Sequence, residues 1–384
     1  MLWQPPLPER YLEMGEDELV RAIKARKEEL GDALVILGHH YQQDDVIQFA
    51  DFTGDSFKLS QLAAEAVKER GSKYVIFEGV HFMAESADIL TPDDVQVILP
   101  DMGAGCSMAD MANYEQTVEA WEIIHEALGD ANVRVIPICY MNCTAAIKAF
   151  CGEHGGAVCT SSNADKILKW ALAGGDEPLG EDETVKILFL PDQHLGRNTG
   201  AALGFDVQKD MIVWDPNDVE LVSDEDIRRA TFLLWKGHCS VHKLFRPEHV
   251  DQVRALWPDV TVIVHPECDH DVVKVADVSG STEKIIQAID AAEPGSKWAV
   301  GTEVHLVNRL AEQAKERGVI VRMLSECQCL CTTMYRIDMP HLLFVMDKLV
   351  EGEVVNRITV GEGVQHWSMI ALQRMLDVTQ AVKA

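Results

Sequence analysis

Short β-branched runs alternate with amphipathic stretches along this chain, and no other feature restricts its fold as much. The runs "ALVILG" (33–38), "YVIFEG" (74–79) and "VTVIVH" (260–265) read as strands, while "DELVRAIKARKEEL" and "NYEQTVEAWEIIHEAL" carry apolar residues at helical spacing. Strands and helices in alternation give parallel sheets covered by helices, the α/β class. The most linker-like piece, "GGDEPLGEDETV" (174–185), is short and acidic and reads as a surface loop.

Polar motifs recur on this framework. One strand runs into "HHY" (His39, His40, Tyr41), another into "YMN" (Tyr140, Met141, Asn142), a third into "HPE" (His265, Pro266, Glu267). A serine-bearing helix start follows each, with Ser56, Ser161 and Ser281. A second strand then ends in a polar group: Glu78 and His81, Asp192 and His194, Glu303 and His305. A cysteine closes each unit: Cys106, Cys239 and Cys331. The order predicts three similar α/β units, 31–112, 113–245 (with an insertion at 197–235) and 246–335. They follow an N-terminal helical segment, 1–30, and precede C-terminal helices, 336–384, that pack back on the core. In open parallel sheets ligands bind beyond the carboxyl ends of the strands, where these motifs fall.

Composition narrows the function. With 62 acidic and 34 basic residues the net charge is −28, which argues against a nucleic-acid surface or an anionic membrane as partner. No long apolar window reads as a membrane span, and the first residues lack a signal-peptide pattern, so a cytoplasmic address is expected. Ten cysteines over 384 residues are too sparse for a disulfide scaffold, leaving metal or thiol chemistry.

Each serine-bearing helix start is a candidate anion site, although for any one of them taken alone ordinary N-capping is the favoured reading. Three together suit a substrate with several carboxylates or a phosphate. Tyr41 and Glu267 lie two residues after His39 and His265, on one face if the segments are extended, so acid and base groups could converge there. His242, near Cys239, joins this set; the alternative is that these histidines only hold loops. The cysteines lack the C-x2-C pairs common in zinc sites and the dense run of ferredoxins. One thiol per unit, three in all, would hold a cluster with one iron open to act as a Lewis acid.

The segments "LGHHYQ", "ADFTGDS", "GCSMAD", "CYMN", "CTSSNA", "FLPDQHLG", "WKGHCSVH", "HPEC", "GSTE", "GTEVH" and "CLCTTM" span residues 37–334 and in this order closely resemble the quinolinate synthase family. The resemblance implies three α/β/α domains related by pseudo-threefold symmetry around a central 4Fe-4S cluster. It also implies condensation of iminoaspartate with dihydroxyacetone phosphate to quinolinate, with loss of phosphate and water, for NAD biosynthesis. L-aspartate oxidase or aspartate dehydrogenase would be the functional partner supplying iminoaspartate. Carried over by motif, Cys106, Cys239 and Cys331 would be the three cluster ligands. Tyr41, Glu267, His39 and His265 would handle proton transfers and substrate binding. Tyr140 and Asn142 would line the pocket, and Ser56, Ser161, Ser281, Thr282 and His242 would hold carboxylate or phosphate oxygens.

Two features depart from the compact members. About forty residues separate "FLPDQHLG" from "WKGHCSVH", as in a longer subgroup. "CQCLC" places Cys327 and Cys329 beside Cys331, and a reversible Cys329–Cys331 disulfide is one reading of that crowding. A hydro-lyase using an open-iron cluster and a non-enzymatic iron sensor or electron carrier are the competing functions.

Overall fold

The run expected to form the first strand does so as Leu34–His39, buried at all six positions. Val35, Ile36 and Leu37 are fully buried, each contributing about 1.5–3 kcal/mol by leaving water. Such unbroken apolar runs are what a parallel sheet covered on both faces requires. The structure is a computed structural model that describes residues 4, 6–326 and 329–381. The chain divides into two compact units. The first comprises Met1–Cys106, Glu303–Leu306 and Leu330–Gly361, and the second Ser107–Thr302, Val307–Cys329 and Glu362–Ala384.

The first unit holds a five-stranded sheet in the order Arg357–Ile358, Gln96–Ile98, Tyr74–Glu78, Leu34–His39, Phe52–Gly54. All pairings are parallel except the edge strand Arg357–Ile358, which returns from the C-terminal region antiparallel to Gln96–Ile98. Helix Glu16–Leu30 packs on helix Met339–Val350 in the same unit.

The second unit holds two sheets. One runs Ala157–Cys159, Val133–Tyr140, Thr184–Leu190, Phe232–Trp235, Met211–Trp214, and the other Val278–Ser279, Thr261–Val264, Lys297–Gly301, Ile320–Met323. Every pairing in both is parallel. The C-terminal helix Glu362–Ala381 lies on helix Ala145–Glu153, where a Cβ on Gly152 would press into the Trp367 carbonyl.

One strand order recurs in all three sheets. A first strand has a short second strand on one side and a third and fourth on the other. The inserted stretch supplies strand Met211–Trp214, which extends the middle sheet at its edge beyond Phe232–Trp235. In this order the topological switch point lies between first and third strands, and side chains at their carboxyl ends face the natural binding crevice. His39, Tyr140 and His265 stand at the ends of the first strands, and Glu78, Asp192 and Glu303 at the ends of the third.

Candidate active site

In the second unit the strand-end motifs build a buried acid–base cluster. Tyr140, the last residue of Val133–Tyr140, donates its hydroxyl to Glu267 Oε1 at 2.5 Å. His242 Nδ1 donates to Glu267 Oε2 at 2.8 Å, and its Nε2 lies 3.1 Å from Thr302 Oγ1. The His242 and His265 rings stack at 4.4 Å. Tyr140, His242, His265 and Glu267 are all buried. Burial alone would raise the Glu267 carboxyl, but His242 and His265 and the bonds from His242 and Tyr140 outweigh it and hold the group well below the usual carboxylate range.

His265 is a fixed donor. The Glu267 backbone N–H reaches His265 Nδ1 at 3.3 Å, and a backbone N–H can only donate, so Nδ1 accepts and a neutral ring carries its hydrogen on Nε2. Burial first, and His242 second, push His265 down to about 3 against a smaller opposing effect of Glu267. The ring is therefore neutral at physiological pH. Glu267 lies in a turn rather than the expected extended segment, because this backbone-to-ring bond folds the chain back.

The first unit repeats the turn. Tyr41 N donates to His39 Nδ1 at 3.1 Å, and the two rings meet edge to face at 4.8 Å. Tyr41 likewise leaves the strand, which ends at His39, so here too the extended reading is corrected.

The serines divide. Ser281 is an N-cap, accepting from Lys284 N at 3.3 Å at the start of Thr282–Asp290, with Thr282 the first, buried helical residue. Ser56 is not a cap: Asp55 accepts from Lys58 N at 2.9 Å and leaves Ser56 as the first helical residue. Ser161 precedes helix Ala164–Leu172 by three residues, in a turn closed by Asn163 Oδ1 accepting from Thr160 N at 2.7 Å. Ser161 and Ser281 line one cavity of about 630 Å³ with Asn198, Pro266 and Lys284. Asn142 is half-buried in the turn after Tyr140.

Among the nine described cysteines three are partly exposed, Cys106, Cys239 and Cys331; Cys139, Cys143, Cys151, Cys159, Cys268 and Cys329 are buried. Cys327 lies outside the described residues. Cys239 Sγ, a His242 nitrogen and a Glu267 oxygen lie within 4.8 Å of one another, a mixed S, N, O set that could hold a metal ion. The Cys239 loop is anchored where Asp192 bridges Gly237, and a Cβ on Gly237 would press into the Pro191 carbonyl. Cys331 Sγ lies 3.4 Å from Thr333 Oγ1, and burial pushes its thiol up.

The carboxylates at the ends of the third strands, Glu78, Asp192 and Glu303, are fully buried, and the sequence marks them only as strand ends. Asp192 Oδ1 accepts from His194 N and Leu195 N at 2.7 and 2.8 Å, capping helix Gln193–Ala202. Glu303 Oε2 accepts from His305 N at 2.8 Å, and its Oε1 lies 3.0 Å from His305 Nδ1 and 3.5 Å from Cys331 N.

The family described as Quinolinate synthetase A protein matches residues 21–377. The chain belongs to the quinolinate synthase family. It is 51% identical over 371 residues to a quinolinate synthase of Acidobacterium capsulatum, covering 96% of this chain and 95% of that one. It is 50% identical over 370 residues to one of Anoxybacillus flavithermus, with 96% of each chain covered. A Bacillus anthracis quinolinate synthase is 48% identical over 371 residues, covering 97% of this chain and 96% of the relative. The matched range includes the stretch 197–235. No helix among the described residues is long and apolar enough to cross a membrane.

Proposed function

We propose that this member of the family is a quinolinate synthase of NAD biosynthesis, condensing iminoaspartate with dihydroxyacetone phosphate to quinolinate with loss of phosphate and water. The observation that supports the chemistry is the buried Tyr140–Glu267–His242 cluster, which sets an ionised carboxylate between a phenol and an imidazole, so that acid and base groups stand side by side in a dry site. Removing protons from carbon and oxygen is what condensation, dehydration and ring closure require. Glu267 takes such a proton on a carboxylate oxygen, and Tyr140 donates from its hydroxyl. His265, neutral with its hydrogen on Nε2, offers a donor to a substrate oxygen, and His39 does the same from the equivalent turn, with Tyr41 beside it. Ser56, Ser161, Ser281, Thr282 and His242 bind carboxylate or phosphate oxygens, and Asn142 lines the pocket with Tyr140.

The cofactor of this reading is one 4Fe-4S cluster with three cysteine ligands and an open iron. The donor chemistry fits: the three motif cysteines are the partly exposed thiols, while the other described cysteines are packed in the core. Cys106, Cys239 and Cys331 would hold the group, which supplies Lewis acidity toward a substrate oxygen when bound. A cytoplasmic place of action, a functional link to L-aspartate oxidase or aspartate dehydrogenase, and the three-domain division at 31–112, 113–245 and 246–335 belong to the same proposal.

The test is anaerobic purification followed by iron analysis and a quinolinate assay with both substrates. The expected result is about four irons per chain and quinolinate formation that needs both. Iron without quinolinate would refute the activity and keep the cofactor, and turnover of a hydroxy acid with no phosphate-bearing substrate would make the chain a hydro-lyase.

A further inference from the structure

Glu267 sits on a turn whose backbone is gripped by one side chain from a neighbouring element. Asn198, in helix Gln193–Ala202, is 7% exposed. Its amide nitrogen donates to the carbonyls of Pro266 at 2.8 Å and of Cys268 at 2.9 Å, the residues on either side of Glu267. Its Oδ1 lies 2.8 Å from His270 Nδ1. Carbonyls only accept, so the amide has one permitted orientation, and Nδ1 of His270 must carry a hydrogen and donate it. Every polar atom of the Asn198 head group is thus committed to the segment 266–270.

From within, the turn is held by Glu267 N donating to His265 Nδ1 at 3.3 Å and by Cys268 N donating to the His265 carbonyl at 3.0 Å. Neither bond fixes the carbonyls of Pro266 and Cys268, and Asn198 takes both. We propose that Asn198 is a positioning residue that sets the aim of the Glu267 carboxylate by clamping the main chain on both sides of it. The proposal rests on the functional reading that makes Glu267 the proton-handling group. A carboxylate bonded at 2.5 and 2.8 Å to two buried donors has little room to move, and a displacement near 1 Å costs roughly 100-fold in rate.

The test uses Asn198→Ala and the isosteric Asn198→Asp in the anaerobically purified enzyme. Asp keeps the shape but not the donors, and turns carboxylate oxygens toward two carbonyls. Both variants should lose roughly 10- to 100-fold in kcat, with KM for each substrate within about threefold and iron content unchanged. Hydrogen exchange of the peptide spanning 265–270 should quicken in both. Parent-like kcat in Asn198→Ala, or its recovery in Asn198→Asp, would overturn the proposal. A rise in KM at constant kcat would do the same, by making Asn198 a wall of the substrate cavity. The exchange measurement separates this inference from the functional reading. Unchanged exchange at 265–270 removes the clamp whatever the enzyme makes, whereas a parent that forms no quinolinate while its variants exchange faster leaves the clamp and removes the reaction.

Discussion

Replacing Tyr140 with Phe deletes the hydroxyl that donates to Glu267 Oε1 at 2.5 Å and leaves the ring in place. Tyr140 is 6% and Glu267 2% exposed, so solvent does not readily supply a substitute partner. A hydrogen bond to a charged group contributes about 1.5–3 kcal/mol. Because His242 keeps its 2.8 Å bond to Oε2, the carboxylate stays ionised at neutral pH and protonation does not offset the loss. At about 2.1 cal/mol/K of unfolding entropy per residue, the 384 residues convert this into a fall in Tm of roughly 2–4 °C. The sign with pH follows from the depressed Glu267 carboxyl. Such a group contributes stability that is present above its unfolded value of about 4.3 and is lost as pH falls through the folded value. Parent and Tyr140→Phe share the same unfolded state, so the gap between them is full at pH 7 and stays open below pH 4, closing only toward the depressed folded value of Glu267. Thermal unfolding of the cluster-free protein, followed by circular dichroism from pH 3 to 7.5, measures it. No gap at pH 7, or a gap that already closes near pH 4, the ordinary carboxyl value, would refute a hydroxyl bonded to a carboxylate held below its usual range.

Cys106→Ser, Cys239→Ser and Cys331→Ser should each lose the bound iron, whereas the same change at Cys143, Cys151, Cys159 or Cys268 should keep it; full iron in Cys331→Ser would reassign the third ligand to a neighbour. Glu78 is fully buried, neither carboxyl oxygen has a hydrogen-bond partner among the described residues, and burial pushes its carboxyl well up against the opposing pull of Lys27. A raised carboxyl stabilises the fold fully below about pH 4.3 and progressively less as pH rises toward the folded value. Glu78→Gln should then match the parent near pH 4 and exceed its Tm at pH 8, and parallel Tm curves would count against it. Asp55→Ala should cost about 1 kcal/mol by removing the cap on Ser56–Arg70. Ser56→Ala should instead raise KM with little change in Tm, and the reverse pattern would make Ser56 the cap.

The strands were legible where burial on both faces leaves an unbroken apolar run, as at Leu34–His39 and Tyr74–Glu78. The site residues were legible as types at strand ends, because the parallel sheet delivers every such end to the same side. Their pairing was not. Tyr140 and Glu267 are 127 positions apart, and nothing local says that one caps the charge of the other. Local competition also hid two serines: at Ser56 the adjacent aspartate is an equally good acceptor and stands one position earlier, and at Ser161 the Thr160–Asn163 turn closes first. Asn198 carried no signal, since an asparagine inside a helix looks like a solvated residue until the carbonyls it grips are seen.

The histidine turns show how one backbone device serves two chemistries. In both His39-x-Tyr41 and His265-x-Glu267 the N–H two residues on donates to Nδ1, so the neutral ring is left with its hydrogen on Nε2 whatever side chain follows. The device sets the tautomer, and the side chain after it sets the role. With Glu267 the turn pairs a fixed donor with an ionised acceptor. Burial holds His265 near 3, far from any working pH, so this ring orients rather than exchanges protons. Glu267 beside it keeps its charge through His242, His265 and Tyr140. With Tyr41 the same turn brings a phenol against the ring and adds no charge. Repetition of the fold thus repeats the donor, and a single change of side chain, glutamate where the first turn has tyrosine, introduces a charge.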